Sequence, residues 1–179
     1  MKVKQTWLAI SLTISIILIS GCTKQNTQIL NEKNLEVENE LLESIAAVSI
    51  IVHDHWTEND INDGKIIYVP LINKRNEIIN EVHKAYIIKN LTITLTIRGL
   101  DHPYKNYSIV LFNRTYRNVS YLDINFPDNM NKGFIIYFDE LKDYKQECCV
   151  AIFAEVILPN GKVLRTHEPY DFNVKPIKY

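Results

Sequence analysis

Apolar and polar residues alternate over short runs along this chain, most cleanly in Leu91-Thr92-Ile93-Thr94-Leu95-Thr96-Ile97-Arg98. The period of two predicts a strand that buries Leu91, Ile93, Leu95 and Ile97 and turns three threonines and Arg98 outward. β-Branched side chains at most of these positions favour the same extended backbone. Similar runs predict strands over Ala46–Trp56, Lys65–Leu71, Tyr107–Phe112, Val119–Phe126, Phe134–Phe138, Cys149–Leu158 and Lys162–Thr166. The last two flank Pro159-Asn160-Gly161, where Asn-Gly predicts a tight hairpin with both residues at positive φ. Turn-forming clusters separate the other runs: Asn59–Gly64, Lys74–Asn76, Asp101–Pro103 and Pro127–Asn129.

Seven or eight short strands with no convincing helix among them predict an all-β domain. The expected architecture is an antiparallel β-sandwich that loosely resembles immunoglobulin-like modules, with a small barrel as the competing arrangement. Alternation along the strands implies sheets with one wet face, as antiparallel sheets allow.

The first 22 residues follow another pattern. Lys2 and Lys4 precede an uncharged run from Trp7 to Ile19, about 13 residues, shorter than the roughly 18–20 needed to span a membrane. A basic start followed by a short apolar stretch is the layout of a secretory signal peptide. Leu18-Ile19-Ser20-Gly21-Cys22 then resembles the lipobox of prokaryotic lipoproteins: an aliphatic residue, two small residues and a cysteine. The resemblance implies a diacylglyceryl group on the Cys22 thiol and cleavage that makes Cys22 the new N-terminus. Two acyl chains hold a membrane firmly where one holds marginally.

The expected layout is a signal peptide over residues 1–21, a lipid-anchored tether over 22–44 and the β-sandwich over 45–179. The tether, rich in Asn, Gln, Glu and Lys, buries too little apolar surface to offset its chain entropy, so a mobile segment or a loose helix is expected. The protein would then work outside the cytoplasm, at the cell surface or in the periplasm.

Loss of residues 1–21 removes two lysines and no acid, so the formal charge falls from −1 to −3. An acidic balance argues against a nucleic-acid partner. The remaining length suits one domain with its own core, expected as a monomer. With Cys22 assigned to lipid, only the adjacent Cys148 and Cys149 remain, so no disulfide framework is available. They are read as a strained vicinal disulfide or as one buried and one half-exposed thiol.

Chemistry enters at His53-Asp54-His55. Residues two apart on a strand share a face, so both imidazoles can reach one zinc or copper ion. Glu58, Asp60, His83, His102 and His167 are the available further ligands, and none is singled out by spacing. No other cofactor is expected. Asn59–Gly64 is rich in oxygen donors but departs from the helix–loop–helix calcium pattern, and a tight turn accounts for the same residues. Trp56, Tyr104, Tyr107, Tyr116 and Tyr121 are candidates for a sugar-binding platform, and equally for packing. Asn90, Asn106, Asn113 and Asn118 each open an Asn-x-Ser/Thr triplet.

No nucleophile elbow and no glycine-rich phosphate loop occurs in the sequence. The expected function is therefore that of a non-catalytic binding or accessory module for an envelope protein or glycan. Its contact loop would include Trp56, Glu58, Asp60 and Asp63. The alternative is a metal-binding envelope protein built on His53 and His55.

Overall fold

The computed structural model describes residues 35–56, 62–80, 87–101, 106–125, 132–142 and 150–170. Leu91–Asp101 (β5) is the centre of the molecule. Leu91, Ile93, Leu95 and Ile97 are fully buried on one face, and Thr92, Thr94, Thr96 and Arg98 are half-exposed on the other. β5 pairs antiparallel with Asn106–Val119 (β6) on one side and with Val150–Ile157 (β8) on the other. β8 in turn pairs with Val163–Tyr170 (β9), giving a four-stranded sheet in the order β6-β5-β8-β9.

Ile51–Trp56 (β2), Asn62–Tyr68 (β3) and Phe134–Tyr137 (β7) form a three-stranded antiparallel sheet in the order β2-β3-β7. Ile45–Val48 (β1) pairs antiparallel with Leu71–Asn73 (β4). One hydrophobic cluster draws on all three sheets, through Ile45, Leu71, Ile67, Ile136, Leu95, Val156 and their neighbours. The fold is all-β and antiparallel, preceded by a helix (α1) over residues 35–44. The chain divides into two compact units, Met1–Glu40 and Leu41–Tyr179. Leu42 already belongs to the core of the second.

Several predicted strands take a different form. Ala46–Trp56 is not one strand but two, β1 and β2, which lie in different sheets. Lys65–Leu71 is likewise divided between β3 and β4. Both breaks occur at one crossing point, where the Ser49 N–H donates to the Pro70 carbonyl at 3.0 Å. Pro70 has no N–H to offer a ladder, so the strand ends before it and resumes after it.

Val119–Phe126 is not a strand either: β6 ends at Val119, and Tyr121–Asp123 forms a 3-10 turn. Asn118 adopts φ +56, a left-handed conformation that asparagine tolerates and that ends the extended run. Tyr121 is then fully buried. Its hydroxyl accepts from the Leu71 N–H at 2.9 Å and donates to Asn125 Oδ1 at 3.1 Å. The Asn125 amide donates onward to the Ile79 carbonyl at 3.1 Å. Burial pushes the Tyr121 hydroxyl far above the usual tyrosine range.

β6 continues well beyond Phe112 through Asn113-Arg114-Thr115-Tyr116-Arg117. As an end strand it buries little there, so its sequence lacks the apolar alternation of β5. Cross-strand polar contacts such as Thr94–Thr115 at 2.9 Å take the place of apolar ones.

The Lys74–Asn76 turn forms as expected, with Asn76 at φ +64. The β8–β9 hairpin also forms, but of its two turn residues only Gly161 has positive φ, at +82. The Leu158 carbonyl accepts from Gly161 N–H, and Leu158 N–H donates to the Lys162 carbonyl, both at 2.9 Å. Pro159 fits the first corner of such a three-residue connection, with glycine in the left-handed place.

Candidate functional site

β2 and β3 pair with Val52 opposite Ile67, His53 opposite Ile66, Asp54 opposite Lys65 and His55 opposite Gly64. β7 continues the rows, placing Tyr137 opposite Gly64 and Ile135 opposite Ile66. The face that carries Ile67, Phe134 and Ile136 is buried in the core. His53, His55 and Tyr137 therefore lie on the other face, as the period of two requires.

Gly64 sits between His55 and Tyr137, whose rings meet edge to face at 5.4 Å. A Cβ on Gly64 would lie 2.6 Å from the Ile136 carbonyl oxygen, so no other residue fits without moving β7. The Asn59–Gly64 segment is thus not all turn: Asn62, Asp63 and Gly64 belong to β3.

His55 is held twice. Its Nδ1 bonds Asp63 Oδ1 at 2.6 Å, and its ring packs on Tyr137. His53 packs edge to face on Tyr68 at 5.8 Å, and burial raises the Tyr68 hydroxyl above its usual range. Asp54 pairs with Lys65. The Lys65 hydrogen bond holds the Asp54 carboxyl below the usual aspartate range, opposed by partial burial and helped by a bond from Asn62. Asn62 Oδ1 is buried with no donor of its own.

Trp56, opposite Asn62 beyond a register shift, closes this end of the sheet and is 58 % exposed. Tyr137, in the next row, is 40 % exposed. Among the described residues these are the only exposed aromatic side chains of large size, and they share one end of one sheet.

The other sugar-platform candidates do other work. Tyr121 is in the core, Tyr116 packs on Phe134 at 4.4 Å, and Tyr107 is half-exposed on β6. Tyr104 lies outside the described residues, as do Cys22, Glu58, Asp60, His83, His102, Cys148 and Cys149. Sequence reasoning passed over Tyr137. The signal was present in Phe134-Ile135-Ile136-Tyr137, where burial of the first and third residues turns the fourth outward.

His167 is not near His53 and His55 in the sheet pattern. It lies on β9 and stacks on Phe153 at 5.5 Å, with the Arg98 guanidinium 5.0 Å over the same ring. Among the described residues, no three His, Cys, Asp or Glu side chains are grouped to hold a metal ion. Asn90, Asn106, Asn113 and Asn118 are all exposed.

A cavity of about 690 Å³ opens elsewhere, lined by Leu41, Ser44, Lys74, Arg75, Glu77 and Ile78 among others. Two of its polar groups serve local structure: Ser44 Oγ donates to the Leu41 carbonyl at 2.6 Å, and Glu77 accepts from the Asn73 amide at 3.0 Å. We place the candidate site at this end of the three-stranded sheet instead, where Tyr137, His55 and Asp63 lie together and Trp56 stands exposed on the opposite face. No helix among the described residues is long and apolar enough to cross a membrane. No family model, curated protein or solved structure matches the chain.

Proposed function

We propose that this protein is a lipid-anchored, non-catalytic binding module of the cell envelope, held through Cys22 and recognising an envelope protein or glycan outside the cytoplasm. The observation that carries the binding role is that Trp56 and Tyr137, on opposite faces, are both exposed at one end of the β2-β3-β7 sheet. Large aromatic residues cost free energy in water and are enriched where a partner covers them. The anchoring half rests on the lipobox resemblance of residues 18–22.

The strand order supports an immunoglobulin-like sandwich. With β2, β3 and β7 taken as strands A, B and E, the other sheet reads C′-C-F-G as β6-β5-β8-β9. In that scheme the connection between β2 and β3 is the A–B loop, at the end of the sandwich opposite the B–C and F–G loops.

The test has two arms. In cells that process lipoproteins, the full chain should fractionate with membranes and carry the lipid mass on an N-terminal Cys22, and Cys22→Ser should abolish both. The chain without residues 1–22 should be retained by isolated envelopes, and its Trp56→Ala variant should not. A Cys22→Ser chain that remains lipid-modified overturns the anchoring, and a Trp56→Ala chain that binds as the parent does overturns the contact surface.

One observation favours a second reading, a zinc or copper site on His53 and His55. Metal-ligating histidines commonly give one ring nitrogen to a carboxylate, as His55 Nδ1 does to Asp63, which leaves Nε2 for a ligand. Stoichiometric metal in the untagged protein, lost in the His53→Ala/His55→Ala variant, would establish it.

A further inference from the structure

We infer that zinc joins two copies of this chain edge to edge along β2, with His53 and His55 of both copies as its four ligands. The inference rests on the reading of His53 and His55 as metal ligands and adds what completes their site.

Zinc held by protein groups alone takes four ligands in a tetrahedron, and imidazole nitrogen is among its preferred donors. One chain brings His53 and His55 to the same face of β2. Among the described residues no three His, Cys, Asp or Glu side chains are grouped to hold a metal. Asp63 is engaged with His55 Nδ1 at 2.6 Å, the carboxylate contact that fixes a metal-binding imidazole and turns Nε2 toward the ion. One chain thus carries half of a four-ligand site.

β2 can meet the other half because it is an edge. It pairs with β3 on one side, and no described strand pairs with its other side. An open edge is a template for a further strand, and two identical edges close on each other about a two-fold axis. Antiparallel pairing centred on Asp54 sets His53 of each copy opposite His55 of the other. Residues directly opposite share a face, so all four imidazoles stand together. Their Cβ atoms are then about 5 Å apart across the strands and about 7 Å apart along each one. Four rings on such a rectangle can meet over its centre. Centring on His53 instead would leave His55 opposite Ile51 and bring only two imidazoles together.

The opposite face accepts the same register. Trp56, 58 % exposed, would stand opposite Val52 of the other copy, an aromatic and β-branched pair of the kind that stabilises sheets. The two Asp54 side chains meet at the centre of that face. Each is paired with Lys65 of its own chain, so their like charges are compensated.

The chain without residues 1–22 keeps every residue of the hydrophobic core, from Leu42 to Leu164, and Trp56 is its only tryptophan. Untagged, it is sedimented first in EDTA and then with zinc chloride added in steps. A monomer in EDTA that becomes a dimer, complete at about one zinc per two chains, is the expected result. Trp56 emission should shift to the blue over the same titration, as Val52 of the other copy covers the ring. His53→Ala, with its melting temperature in EDTA unchanged, should remain a monomer at zinc concentrations that saturate the parent. Asp63→Asn should raise the zinc needed by about tenfold or more.

Zinc taken up at one per chain by a monomer means that the same chain completes the site; the dimer is then overturned and the metal reading stands. A zinc dimer that persists in His53→Ala, or forms without the Trp56 shift, is built elsewhere on the molecule and overturns the β2 edge. No zinc uptake overturns the dimer and the metal reading together.

Discussion

β5 and β2 are both strands, yet they serve opposite ends. β5 has a neighbour on each side and four fully buried aliphatic residues in alternation. β2 lies at the edge of its sheet, and His53, Asp54 and Trp56 are all exposed. The first is held by burial, roughly 1.5–3 kcal/mol for each large aliphatic side chain. The second is held mostly by what surrounds it: the β3 ladder, the Asp63 bond and the ring contact with Tyr137. Stability is concentrated in β5, and β2 is left free to carry exposed chemistry. Substitutions that separate the two roles sharpen this contrast.

The largest effect is expected in β5. Leu95→Ala leaves a cavity among fully buried neighbours and should destabilise the domain by about 2–5 kcal/mol in urea unfolding. A loss below about 1 kcal/mol would mean that β5 is not the centre of stability.

Gly64→Ala comes next, because its Cβ meets the backbone of Ile136 and not a flexible side chain. Separation of β3 from β7 should cost about 3 kcal/mol and expose the His55–Tyr137 contact. Amide exchange would show the loss confined first to the β2-β3-β7 sheet. A uniform loss would break the distinction between the two sheets.

Tyr121→Phe keeps the ring and removes the hydroxyl that serves Leu71 and Asn125. Leaving a buried N–H and a buried carbonyl oxygen without their partner should cost about 2 kcal/mol, read from the melting temperature.

The smallest effect belongs to Asp54→Asn. The carboxyl is 40 % exposed, so its pair with Lys65 contributes well under about 1 kcal/mol. Its lowered pKa fixes the sign. The contribution is present above the ordinary aspartate value of about 4 and lost as pH falls through the lower folded value. Parent and variant should therefore differ slightly at neutral pH and converge in acid, and a difference that grows in acid would refute the pairing.

Much of the fold was legible because burial leaves a period in the sequence. Leu91, Ile93, Leu95 and Ile97 announced both the strand and its inward face. The edge strand β6 was half-legible, since beyond Phe112 it needs no apolar alternation. The breaks at Ser49 and Pro70 were missed because the apolar runs are continuous across them, and a run cannot say which sheet it joins. In the candidate site, Trp56 was picked out by residue type and Tyr137 was not, because outwardness depends on which neighbours are buried.

The amino-acid sequence alone determined the all-β character, the buried set of β5 and the N-terminal pattern that resembles a lipobox, since each is written in consecutive residues. Only the tertiary structure decided that Tyr121 is a core hydrogen-bonding group, that Gly64 is a point of backbone contact, and that Tyr137 meets His55. These depend on strand register between segments tens of residues apart. Register is fixed by the summed fit of whole faces, which no local stretch of the chain contains.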